Sequence, residues 1–181
     1  MNKTLVCIVF SLFVCSLTAQ TEYVTNEEAG FRVKAPGAFE EKYQQVSTDI
    51  GLMDLRTYYH QPEIEEPINF LYLINYVEYP EGTLHHDSLA MVEDLFANSM
   101  EEFNLSVGGK VMYQTSFMKD SPPNSIFRIE YDEGFKIVKA KMIVHENKFY
   151  FLQVFTTKPH SLNNKIDEFL DSFSLRPRKS N

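Results

Sequence analysis

The sequence predicts an α+β fold, an antiparallel sheet flanked by helices, and three observations carry that prediction. Segments with strand patterning come in runs instead of alternating with helices, which favours an antiparallel layer structure over a parallel one. Two segments show the three- and four-residue spacing of an amphipathic helix, each with one apolar stripe that needs a sheet to cover it. Two short connections, Asp132-Glu133-Gly134 and Glu146-Asn147-Lys148, supply residues that tolerate positive φ and read as hairpin turns.

In chain order, the first segment stands outside that fold. Lys3 is followed by the uncharged, largely apolar run from Leu5 to Leu17 and then by Thr18 and Ala19. A basic start, a short apolar stretch and small residues make a secretory signal peptide, with cleavage within a residue or two of Ala19. The run is shorter than the ~20 apolar residues of a membrane span. Both cysteines, Cys7 and Cys15, lie in this leader, so the mature chain has no disulfide, thiolate metal site or cysteine nucleophile. Lipid attachment at Cys15 is disfavoured by Val14, where a small residue is wanted. The expectation is residues 1–19 as signal peptide and 20–181 as a single domain, secreted or periplasmic, with no transmembrane segment.

Phe31-Arg32-Val33-Lys34 alternates as a half-buried strand, stopped by Ala35-Pro36-Gly37. A second strand is expected over Glu40–Val46. In the next, Met53, Leu55, Thr57 and Tyr59 share a face. After a loop holding Pro62, Glu63, Glu65, Glu66 and Pro67, the run Ile68–Val77 is apolar or aromatic on both faces, which predicts a central strand. A helix follows, capped by Thr83 or Asp87, with Leu89, Val92, Phe96, Met100 and Phe103 on one stripe and Gly108-Gly109 at its end. Strands over Lys110–Met118, Ser125–Tyr131, Phe135–Val144 and Phe149–Thr157 come next, the last three as an antiparallel meander. A closing helix, capped within Ser161–Asn164, aligns Ile166, Phe169, Leu170 and Phe173.

The opening Gly30–Pro36, the long middle helix, the meander ending Phe149-Tyr150-Phe151-Leu152-Gln153-Val154 and the final helix Ile166–Leu175 resemble the PsbP-like fold superfamily. That superfamily includes an extrinsic photosystem II protein, a Ran-binding nuclear import factor and many exported bacterial proteins of unknown role. Phe39 stands where many relatives carry tryptophan. The resemblance covers almost the whole mature chain and implies a binding or scaffolding role, generally without catalysis.

Size and charge narrow the function. Removing 19 of 181 residues leaves 162, enough to bury a core of its own. Loss of Lys3 takes the formal net charge from −8 to −9, which repels phosphate backbones and argues against nucleic acid. Arg176, Arg178 and Lys179 form a small basic tail. Asn104-Leu105-Ser106 is a glycosylation sequon, which counts only where the host glycosylates.

Few residues carry candidate chemistry. His85, His86 and Asp87 are sound ligand types for zinc or copper. Neighbours on a helix face apart, however, so the plainer reading is a polar stretch leading into the helix. Glu63, Glu65 and Glu66 could gather a hard cation, but the loop lacks the aspartate, asparagine and glycine spacing of calcium loops. His60, His145 and His160 could serve a hydrolase, yet no Gly-x-Ser-x-Gly or His-Glu-x-x-His occurs. Tyr58, Tyr59, Tyr72, Tyr76 and Tyr79 offer either a contact surface or sheet core. The reading is a non-catalytic binding or accessory protein with no cofactor, acting on an unknown protein or small ligand in the cell envelope. The alternatives are an extracytoplasmic hydrolase using a loop histidine, or a small-ligand-binding protein.

Overall fold

A computed structural model describes residues 22–48 and 51–176; the expected leader, residues 1–19, lies outside them. Among the described residues, ten strands and two helices run in the order β1 (Glu22–Asn26), β2 (Phe31–Ala35), β3 (Glu40–Thr48), β4 (Gly51–His60), β5 (Asn69–Glu78), α1 (Leu89–Val107), β6 (Lys110–Phe117), β7 (Asn124–Tyr131), β8 (Lys136–His145), β9 (Lys148–Thr157), α2 (Asn164–Ser172) and β10 (Ser174–Leu175). A 3-10 turn, Lys158–His160, joins β9 to α2.

Seven strands form one antiparallel sheet in the order β3-β4-β5-β9-β8-β7-β6, and a smaller sheet has the order β1-β2-β10. The predicted meander is present as β7-β8-β9. Its two turns use positive φ at Asp132, Glu133, Gly134 and Glu146, so the second turn places Glu146, not Asn147, in the left-handed conformation. β5 is interior, as its two-faced apolar pattern predicts. It lies between β4 and β9, pairing Tyr76 with Tyr150 and Ile74 with Leu152.

Each face of the large sheet has its own cover. On one, Phe31 and Val33 of β2 and Ile166, Phe169 and Leu170 of α2 close over Tyr58, Tyr72, Ile74, Tyr76, Tyr150, Leu152 and Val154. Phe39 joins this core edge-on to Phe169, with ring centroids 6.3 Å apart. On the other face, Leu84 and α1 through Val92 and Phe96 cover Phe127, Ile129, Val138, Ala140, Met142, Phe149 and Phe151. Burying aromatic side chains on both faces supplies the main favourable term in folding.

Two details differ from the sequence prediction. The residue before α1 is Ser88, which makes no capping side-chain bond; Thr83 Oγ1 instead donates to the Pro80 carbonyl. Where a single sheet was expected, Phe31–Lys34 belongs to a small second one, with β1 paired along one edge and β10 paired with Phe31 and Arg32 on the other. The end of α1 follows expectation: Gly108 takes the left-handed conformation at φ 60°, and its amide donates to Leu105.

Candidate functional site

The side chains most capable of chemistry gather at one end of the large sheet, where β5 and β8 finish and β9 begins. The chain leaving β5 is tied to the β8–β9 turn by backbone and side-chain bonds. The Tyr79 amide donates to the Asn147 carbonyl at 2.8 Å, and Asn147 Nδ2 donates back to the Tyr79 carbonyl at 2.5 Å. Farther on, the His86 amide donates to the Glu146 carbonyl at 3.1 Å. This lacing brings residues 85–87 against His145, which sequence alone placed some 60 positions away.

His85, His86 and Asp87 sit in a turn ahead of α1, not on the helix as sequence reasoning assumed. The Ser88 amide donates to the His85 carbonyl at 2.9 Å and closes that turn. The objection that neighbouring helical side chains diverge therefore does not apply. One ligand atom from each of the three lies within 4.8 Å of the others. His86 Nε2 is 3.4 Å from Asp87 Oδ1, and His85 Nδ1 is 3.5 Å from Asp87 Oδ2. The imidazoles form a column, with ring centroids 4.4 Å apart for His85 and His86 and 5.6 Å for His86 and His145. Burial, more than neighbouring charge, pushes the His145 pKa below the usual histidine range. Glu146 N–H donates to His86 Nδ1 at 3.0 Å, which places the neutral ring's proton on Nε2.

Two charged clefts share Glu28, and the second includes His145 of this cluster. One, of about 450 Å3, is lined by Glu28, Gln45, Asp54, Arg56, Glu78 and Tyr79 among others. The second, of about 490 Å3, is lined by Glu28, His145, Glu146, Lys148, Tyr150 and Arg176 among others. Arg56 Nη1 donates to Glu28 Oε2 at 2.7 Å and lies 3.5 Å from Glu41 Oε1. The bond to Glu28 is the main reason its guanidinium holds its proton more firmly than usual. Lys148 pairs with Glu146 at 3.2 Å. Sequence reasoning passed over Arg56 and Glu28. The signal that could have found Arg56 is the alternation of its strand, which sets Asp54 and Arg56 on the face opposite Met53, Leu55 and Thr57.

The remaining sequence candidates scatter. His60 Nδ1 lies 2.9 Å from the Ala38 carbonyl, and His160 Nδ1 lies 3.2 Å from Thr157 Oγ1 in the 3-10 turn. Glu63, Glu65 and Glu66 are exposed, and among the described residues the group able to hold a metal is His85, His86 and Asp87. The tyrosines divide: Tyr58, Tyr72 and Tyr76 are core, no more than 5% exposed, so no open tyrosine face exists there. Among the described residues no helix is long and apolar enough to cross a membrane.

No protein-family model and no curated protein sequence matches the chain. A solved structure does: the solution structure of cyanobacterial PsbP (CyanoP) from Synechocystis sp. PCC 6803 superposes with a TM-score of 0.61. The match covers 91% of this chain and 98% of that one at 12% sequence identity. Likeness at that identity speaks to architecture alone, and the arrangement of a twisted antiparallel sheet, one long helix and a small covering sheet is the PsbP-like fold.

Proposed function

We propose that this chain is an exported, non-catalytic accessory protein that binds a polar, charged partner of the cell envelope, a protein or a small ligand. The partner docks on the pair of clefts that meet at Glu28. The observation that carries this reading is the presence of both signs of charge along two adjoining clefts at one end of the large sheet. Arg56 and Lys148 can accept carboxylate or phosphate groups, while Glu28, Asp54 and Glu78 can accept cationic ones. Such mixed-sign surfaces give specificity through complementary charge.

The test is capture from an envelope extract on immobilised mature protein, compared with Lys148→Glu and Arg56→Gln variants whose circular dichroism matches the parent. A ligand or protein retained by the parent and lost by at least one variant is the expected result. Retention that both variants leave intact would move the docking site elsewhere and overturn the reading.

A further inference from the structure

We propose that His85, His86 and Asp87 form a binding site for one divalent transition-metal ion of the zinc and copper class. The inference stands apart from the cleft reading and needs no macromolecular partner. Two imidazoles and a carboxylate are borderline nitrogen and oxygen donors, suited to zinc or copper and unsuited to magnesium or calcium, which take oxygen sets.

Spacing is the strongest argument. Donors bound at about 2.1 Å to a tetrahedral ion stand roughly 3.4 Å from one another. His86 Nε2 and Asp87 Oδ1 are 3.4 Å apart, and His85 Nδ1 and Asp87 Oδ2 are 3.5 Å apart. These two distances involve different oxygens of the Asp87 carboxylate, and one ligand atom from each residue lies within 4.8 Å of the other two, so side-chain rotation without backbone movement closes the set. Their backbone is fixed by the Ser88 amide on the His85 carbonyl and the His86 amide on the Glu146 carbonyl. His145 stacks on the His86 ring and limits its rotation. Three protein ligands leave a coordination position for water.

Proton positions then separate the two histidines. The Asp87 amide donates to His85 Nδ1 at 3.3 Å, so that nitrogen carries a lone pair and no proton, and an ion takes that lone pair in place of the amide. His86 differs, because the Glu146 amide donates to its Nδ1 and its Nε2 bears the proton that points at Asp87. Loading replaces that proton with the metal: Nε2 gives it up, Nδ1 takes one, and the ring changes tautomer with no net change in its charge. Loading therefore breaks the bond from the Glu146 amide to His86 Nδ1. Occupancy thus releases one bond of the lacing between the turn ahead of α1 and the β8–β9 hairpin.

The experiment titrates the mature chain with zinc chloride at pH 7, with magnesium chloride as control, by calorimetry and by nitrogen-15 spectra of the imidazoles. One equivalent of zinc should bind, magnesium should not, and His86 should pass from the Nε2–H to the Nδ1–H form as the Glu146 amide resonance shifts. His85→Gln and Asp87→Asn, both at exposed side chains, should each weaken binding by at least about tenfold while leaving circular dichroism unchanged. Absence of stoichiometric zinc binding, binding that these variants leave intact, or an unchanged His86 tautomer on saturation would each refute the assignment.

Discussion

Tyr150 shows how one residue ties the two layers together. Its ring is 1% exposed, and its hydroxyl donates to the Ala29 carbonyl at 2.7 Å, across 121 positions of sequence. Tyr150→Phe leaves that buried carbonyl without a donor and should cost about 1–3 kcal/mol in urea unfolding at pH 7. The same burial pushes the phenol pKa above its ordinary value, as it does for Tyr58, Tyr72 and Tyr79, and takes Tyr131 to about 12. A folded-state pKa raised above the unfolded one means that the unfolded chain loses its proton first. The associated stability is complete below pH 10 and is lost as pH rises through the folded-state values. Thermal melts should therefore fall steeply above about pH 10, with Tyr150→Phe falling less steeply than the parent. Equal slopes for the two proteins would remove Tyr150 from the account. The sequence left Tyr58, Tyr72 and Tyr76 as either contact surface or sheet core, and which they are depended on the small sheet and α2 lying over them.

At the scale of elements, the two helices are held by different means. α2 is short and is anchored at its start by Asn163, whose Oδ1 accepts from the Lys165 amide at 3.1 Å. Asn163 Nδ2 also donates to Oδ1 of the buried Asn69 at 2.9 Å, while Asn69 Nδ2 donates to Tyr72 Oη at 2.8 Å. One side chain thus caps a helix and fixes it to β5. Asn163→Ala should cost ~2–3 kcal/mol, more than a cap alone, because the buried amide of Asn69 loses its partner as well. Asn163→Asp keeps the capping acceptor and should fall between the two; chemical denaturation ranks them. The capping segment Ser161–Asn164 was legible from the side chains that make N-caps. For α1 the same reasoning chose Thr83 or Asp87, and the helix instead begins after Ser88 with no side-chain cap. Packing of Val92 and Phe96 on the sheet decides that boundary, since tertiary burial outweighs one exposed cap.

Across the whole molecule, export and folding are separate questions. If the leader is processed as its pattern predicts, mass spectrometry of the exported protein should find the chain beginning within a residue or two of Gln20. A chain still starting at Met1 would contradict that prediction. Sequence alone determined the elements that rest on local chemistry: the β7-β8-β9 meander from its positive-φ turns, the interior place of β5 from its two-faced apolar run, and the one-sided helices from their stripes. Those signals act over a few residues, within the range that backbone preference and side-chain alternation can reach. Only tertiary structure decided that β5 pairs with β9, that β2 leaves the main sheet to become its cover, and that His145 meets His85 and His86. Such contacts join segments far apart in the chain. They are selected by which apolar faces can be buried together, a property of the assembled layers that no local stretch of sequence contains.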